Sequence, residues 1–158
     1  MFNRDFIDFI KLLNKHAVKY MVVGGYAVGN YGFERFTGDL DIWIEVSKTN
    51  ARKMMKVVKE FPAPAGVFTE SDFLIDKPLA GGFFGSPPLR IDILNNLEGV
   101  IFGDCFPNAE AKTFEGVEMK FIGFDDLIKC KKAANRGKDK IDIIELLKLR
   151  KRQMKNKK

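Results

Sequence analysis

The sequence predicts an α/β chain of the α+β kind, in which helices pack on one mixed β-sheet. Two observations carry that expectation. Helix-period and strand-period segments follow one another as helix, strand, helix, strand, helix, strand, before a hairpin and two closing helices. No internal repeat or domain linker separates them, so the elements are expected to share a sheet. At 158 residues, with 46% hydrophobic and 30% charged residues, the chain suits one domain with one sizeable core. We read residues 1–150 as that domain and 151–158 as a basic tail.

Phe6, Phe9, Ile10, Leu13 and Ala17 recur at three- and four-residue spacing, the stripe of an amphipathic first helix that ends near residues 14–16. Tyr20 to Val23 is short, apolar and β-branched and stops at Gly24-Gly25, as a buried strand entering a tight turn does. A brief helix follows over Tyr26 to Tyr31. From Asp39 to Val46 polar and apolar residues alternate at period two, which gives a strand an acidic face and a core face. Trp43 reads as core. Ser47 or Thr49 caps a helix with the stripe Met54, Val57, Val58 and Phe61, ended by Pro62, Pro64 and Gly66. Residues 67–88 are rich in Gly and Pro and read as irregular strands or a mobile loop beside the site. Leu89 to Leu94 resumes a strand pattern, and Thr113 to Ile122 reads as a hairpin about Glu115-Gly116. Asp125 opens a helix through Ala134, and a final helix carries Ile141, Ile144 and Leu147 on one face.

Composition removes several kinds of chemistry. No apolar run approaches the roughly 20 residues that span a bilayer, and the start interleaves charge with Phe and Ile, so no membrane association and a cytoplasmic location are expected. Cys105 and Cys130 are too few and too far apart for a zinc motif and read as buried thiols in a reducing compartment. With His16 the sole histidine, a histidine pair or Ser-His-Asp triad is hard to assemble. Metal chemistry falls to carboxylates. The net charge of +6 is a C-terminal property: residues 129–158 hold thirteen basic and three acidic side chains, the remainder fourteen and eighteen. That segment is either a solvated helix face with a frayed tail, or a surface that attracts triphosphate or RNA.

Residues two apart in a strand share a face, so Asp39 and Asp41 set two carboxylates side by side while Leu40 and Ile42 enter the core. Like charges so placed repel unless solvent or a divalent cation compensates, and Mg²⁺ favours such oxygen ligands. Asp92, between Ile91 and Ile93, supplies a third carboxylate if its strand is a neighbour. Taken alone, the pair is also what a solvated strand face looks like. Thirteen residues separate Asp39 from the Gly24-Gly25 pair, which lets backbone N–H groups approach a phosphate and which alone is also a plain turn. Lys129 and Lys132 can lie along one side of the helix from Asp126 and are the phosphate-binding candidates there. Arg136, Lys138 and Asp139 read equally as a helix-terminating turn with a salt bridge. Glu45 is left outside the metal set.

The run VGGYAVGNYGFERFTGDLDIWI resembles the nucleotidyltransferase superfamily pattern, of DNA polymerase beta-like fold: an apolar residue, a Gly pair, a spacer, then Asp-apolar-Asp-apolar. Within it, Arg35, Thr37, Asp39 and Asp41 are similar to the form found in minimal bacterial members, including aminoglycoside and lincosamide nucleotidyltransferase-like proteins and the abortive-infection toxin branch. LRIDIL resembles the later strand that bears a single Asp, and DDLIKCKKAANRGKDKIDIIEL the helix pair that closes these small proteins. The resemblance implies a nucleotidyltransferase fold and Mg²⁺-dependent transfer of a nucleoside monophosphate from an NTP to a hydroxyl of a small molecule, a protein or an RNA end. It implies Asp39, Asp41 and Asp92 as catalytic residues and ligands of two Mg²⁺ ions, with Mn²⁺ as a substitute. It also implies Gly24, Gly25, Arg35 and Thr37, with Lys129 or Lys132, at the nucleotide. A homodimer would complete a cleft in so short a chain. The alternative is a non-catalytic nucleotide-binding or toxin–antitoxin interaction protein on the same fold. An RNA-binding module using the basic C-terminal segment is a third reading, which lacks aromatics interleaved with the charge.

Overall fold

In a computed structural model that describes residues 2–62, 68–77, 81–86 and 88–157, each expected helix and strand appears, with shifted ends. Helix α1 (Arg4–Lys15) is capped by the Asn3 side chain, which accepts from the Asp5 N–H at 2.8 Å. Ala17 does not extend its stripe. The chain turns there to φ 53° with Ala17 exposed, and Val18 takes the buried position instead. Strand β1 (Tyr20–Val23) runs directly into α2 (Gly24–Asn30), so the short helix begins at the glycine pair, two residues before Tyr26. Strand β2 (Leu40–Ile44) leads to α3 (Lys48–Glu60), whose N-cap is Ser47, its hydroxyl accepting from the Asn50 N–H at 3.1 Å. Ser47→Ala is expected to cost about 1 kcal/mol, read as a lowered urea midpoint with unchanged slope.

Residues 63–67, 78–80 and 87 lie outside the described residues, and with them the expected helix end at Pro64 and Gly66 and part of the mobile-loop reading of 67–88. The rest holds a 3-10 turn (Glu70–Phe73) and strand β3 (Gly81–Phe84). Then follow β4 (Ile91–Leu94), the single turn α4 (Phe102–Cys105), and the hairpin β5 (Glu110–Phe114) and β6 (Val117–Phe121). Glu115 and Gly116 sit at φ 51° and 78°, the left-handed pair that a two-residue hairpin needs. Helices α5 (Phe124–Ala134) and α6 (Gly137–Asn156) close the chain. No helix among the described residues is long and apolar enough to cross a membrane.

The six strands form one mixed sheet in the order β3-β4-β2-β1-β6-β5. β2 pairs antiparallel with β1 and parallel with β4, and β1 pairs parallel with β6. Leu40 and Ile42 are fully buried, and Leu40 is in line with Ile91 of β4 and Phe84 of β3. Against that face packs α1: the Phe9 ring lies 5.2 Å from Phe84 and 5.1 Å from Phe61, which follows α3. Phe9, Phe61 and Phe84 thus form one ring cluster, in which Phe61 meets both of the others edge to face. The opposite face carries Asp41 and Trp43, and Trp43 is covered by Phe102 of α4 at 5.1 Å.

Helix α6 departs from its expected orientation. Ile141, Ile144 and Leu147 are 57%, 53% and 47% exposed, whereas the buried residues of this helix are Asp139, Asp142 and Leu146. Its inward face is largely ionic.

Candidate active site

The parallel register between β2 and β4 sets Asp41 directly beside Asp92. Asp39 stands one residue ahead of β2, where its Oδ1 accepts from the Arg90 backbone N–H at 3.2 Å, while Leu40 N–H bonds the Arg90 carbonyl at 2.9 Å. Ordinary strand pairing therefore collects all three expected acids at one edge of the ladder. Arg90 binds two of them. Its Nη2 donates to Asp92 Oδ2 at 3.2 Å and lies 3.8 Å from Asp39 Oδ2. Its Nε lies 2.7 Å from Asp92 Oδ1 without the alignment of a hydrogen bond, so that contact is an ion pair alone. The guanidinium is also held over the Phe83 ring at 4.9 Å.

Asp41 lies deeper than its neighbours. Burial, followed by the Asp92 carboxylate beside it and then Asp39, pushes its carboxyl up to about 7, against a weaker opposing pull from Lys138. Near neutral pH it is therefore poised between its charged and neutral forms.

The glycine pair is shaped around this cluster. Gly24 has φ +66°, and a Cβ there would run into the Asp41 carboxylate. A Cβ on Gly25 would run into the Thr37 hydroxyl. Both positions thus need glycine for close approach, and Thr37 lies against the start of α2.

The remaining expected binding residues lie elsewhere. Arg35 forms a two-point ion pair with Asp142 of α6, Nε to Oδ1 at 2.7 Å and Nη2 to Oδ2 at 2.9 Å. Lys129 is an exposed side chain 3.9 Å from Asp126, and Lys132 is exposed on the same helix. Among the described residues neither makes an ion pair or hydrogen bond to Asp39, Asp41 or Asp92. Lys131, between them in sequence, is the buried cation of α5, bridging Asp139 at 3.2 Å and Asp142 at 2.9 Å. Arg136 caps α6 as the salt-bridged turn reading expects, with Nε 2.7 Å from Asp139 Oδ2. The cations that sense the acids are Arg90, Lys138 and Arg136. Arg90 had a readable signal, since it lies two residues before Asp92 on the same strand face. Lys131 had none, because its partners are eight and eleven residues away on another helix.

Among the described residues no three His, Cys, Asp or Glu side chains converge into a ready-made ion cage. Mg²⁺ does not require one, since it is commonly held by one or two carboxylates with waters and substrate phosphates completing its shell. The Asp41 and Asp92 pair fits such an ion: oxygen donors, in register on one sheet face, with one of them reluctant to ionise unless a cation is present. Asp39 adds a partly exposed carboxylate at the rim.

A family model described as "Nucleotidyl transferase of unknown function" matches residues 2–158. Among solved structures, the chain is similar to the crystal structure of an antigenic nucleotidyltransferase-like protein from Paracoccidioides brasiliensis. The two share 17% identity at a TM-score of 0.56, over 90% of this chain and 73% of that one, a likeness of fold. No curated protein sequence matches.

Proposed function

This chain belongs to that nucleotidyl transferase family, and from that premise we propose that it moves a nucleoside monophosphate from an NTP to an acceptor hydroxyl in a Mg²⁺-dependent reaction. The single observation that carries the reading is the in-register pair Asp41 and Asp92, with Asp39 at its rim and Gly24 closed against it. Asp39, Asp41 and Asp92 are the residues that would hold Mg²⁺. A divalent ion there supplies neutralisation of phosphate charge and a more acidic acceptor hydroxyl. The bond formed joins the acceptor oxygen to the α-phosphorus, the bond broken is the α–β bridge, and pyrophosphate departs. Asp92 is suited to receive the hydroxyl proton, Arg90 to meet the charge that develops on the phosphates, and the Gly24-Gly25 backbone to admit them closely. Positioning and charge carry this chemistry, which suits a site without histidine.

One observation favours a second reading. Arg90 already compensates Asp92 and Asp39, as a retained acid cluster in a non-catalytic interaction protein would require. Calorimetric titration with Mg²⁺ and each NTP, on the parent and on Asp39→Ala with Asp41→Ala, tests the metal site. We expect Mg²⁺-dependent binding in the parent and its loss in the double variant. Equal affinity in the two proteins sinks the assignment. Incubation with labelled NTP and cell extract then separates transfer from binding alone.

A further inference from the structure

Helix α6 turns carboxylates inward and aliphatic side chains outward, the reverse of an ordinary surface helix. Its inner side is fixed. Asp139 and Asp142 are held by Lys131, Arg136 and Arg35, Leu146 is fully buried, and the Arg150 guanidinium lies 3.8 Å from the centre of the Phe124 ring. The helix therefore cannot roll to bring Ile141, Ile144 and Leu147 under cover without breaking that ionic core. Single aliphatic residues scattered over a surface need no explanation, but a row of them along one helix does. With Met154, 63% exposed two turns beyond Leu147, the row extends about 20 Å at 1.5 Å per residue.

The row is set in positive charge. Lys140, Lys148 and Lys151 stand four residues before, four after and seven after Ile144, so they share its side of the helix, and all three are exposed. Of the acids of α6, Asp139 and Asp142 are turned inward and Glu145 lies 3.5 Å from Lys148. The face is thus complementary to a partner that brings apolar side chains at helical spacing together with carboxylates beside them. A second copy of this chain does not bring them, because α6 laid against α6 places lysines from both copies in one seam. RNA is disfavoured because α6 carries no aromatic ring on which a base could stack. A bilayer surface is disfavoured because Lys148 and Lys151 sit on the arc that would have to be buried with Ile144.

We propose that the outer face of α6 is a docking surface for an acidic amphipathic helix of a partner protein, with Ile141, Ile144 and Leu147 as its apolar anchors and Lys140, Lys148 and Lys151 as the charges that select the partner. The proposal is independent of the nucleotidyl-transfer reading. The probe is a stapled, fluorescently labelled helical peptide of about three heptads, with Leu at the apolar positions and Glu flanking them. One control peptide scrambles the order of the same residues, and a second carries Lys in place of each Glu. By fluorescence anisotropy at physiological salt, the full chain is expected to bind the acidic peptide at least about tenfold more tightly than either control. Ile144→Glu should weaken that binding by at least about tenfold, and Lys140→Glu with Lys151→Glu should shift the preference to the Lys peptide. These substitutions lie on exposed side chains, so melting temperatures should stay close to the parent's. Equal binding of the scrambled peptide, undiminished binding by Ile144→Glu, or no binding of the acidic peptide overturns the proposal. Tighter binding of phosphatidylserine vesicles or of single-stranded oligouridylate, lost in Ile144→Glu, overturns it in favour of a membrane or RNA. A dimer in sedimentation equilibrium that Ile144→Glu dissociates overturns it in favour of a second copy.

Discussion

Asp41→Asn is expected to abolish nucleotidyl transfer while stabilising the metal-free protein at alkaline pH. The two effects have one cause. Burial and the neighbouring Asp92 charge hold the folded-state pKa of Asp41 at about 7, far above its unfolded value. A carboxyl shifted this way contributes fully to stability below about pH 4, and that contribution drains away as pH rises through about 7, when a buried charge must form beside another. Asparagine keeps the shape and removes that charge. At pH 8 without divalent ions the variant should gain on the order of 2 kcal/mol, well under the full conversion of so large a shift. At pH 4 the gain should vanish. Removing the charge also removes a metal ligand, and transfer should fall by roughly a thousandfold or more. Paired melts at pH 4 and pH 8, with and without Mg²⁺, measure the first effect, and labelled-nucleotide transfer the second. A variant that is less stable than the parent at pH 8 without metal would show that Asp41 is not strained by its neighbours.

The same physics explains which parts of the molecule were legible in the sequence. Asp39, Asp41 and Asp92 were readable because strand periodicity is rigid: residues two apart share a face whatever the tertiary context, and a parallel register brought the third acid alongside. Gly24 and Gly25 were readable as a turn, although the reason for each, the Asp41 carboxylate and the Thr37 side chain, is a contact with a residue twelve or more positions away. Helix periodicity was a weaker guide. Ile141, Ile144 and Leu147 form a stripe, but the side of α6 that packs is decided by what α5 and the Arg35 segment offer, and they offer Lys131 and Arg35. An apolar stripe announces a face without stating whether this chain covers it. Arg35 shows the same limit in another form. The family resemblance implied a place for it at the nucleotide, whereas its guanidinium is held by Asp142, a partner 107 residues away.

Replacing Asp142 tests what that partnership does, and Asp142→Ala is expected to cost about 3–5 kcal/mol, lowering the melting temperature by about 10 °C. The ionic core joins Arg35, Asp142, Lys131, Asp139 and Arg136 in one chain of contacts between 2.7 and 3.2 Å. Removing Asp142 strands Arg35 and leaves the buried Lys131 to share Asp139 with Arg136. Removing Lys131 instead leaves each aspartate with its own arginine, so Lys131→Met should cost only about 1–2 kcal/mol, and adding it to Asp142→Ala should recover part of the loss. Burial pushes the carboxyls of Asp139 and Asp142 upward, but hydrogen bonds from Arg136 to the first, and from Arg35 and Lys131 to the second, hold both below the usual range. Their contribution is therefore present above about pH 4 and lost as pH falls through the lowered values. The gap between parent and Asp142→Ala should be widest at pH 5–7 and close towards pH 2. Additive costs in the double variant would mean that the five-residue ionic core is a set of separate pairs. If the costs are not additive, α5 and α6 position the segment that carries Thr37 onto Gly25 through one cooperative unit. Asp142→Ala should then weaken Mg²⁺–nucleotide binding as well as stability, although no atom of Asp142 touches the acid cluster.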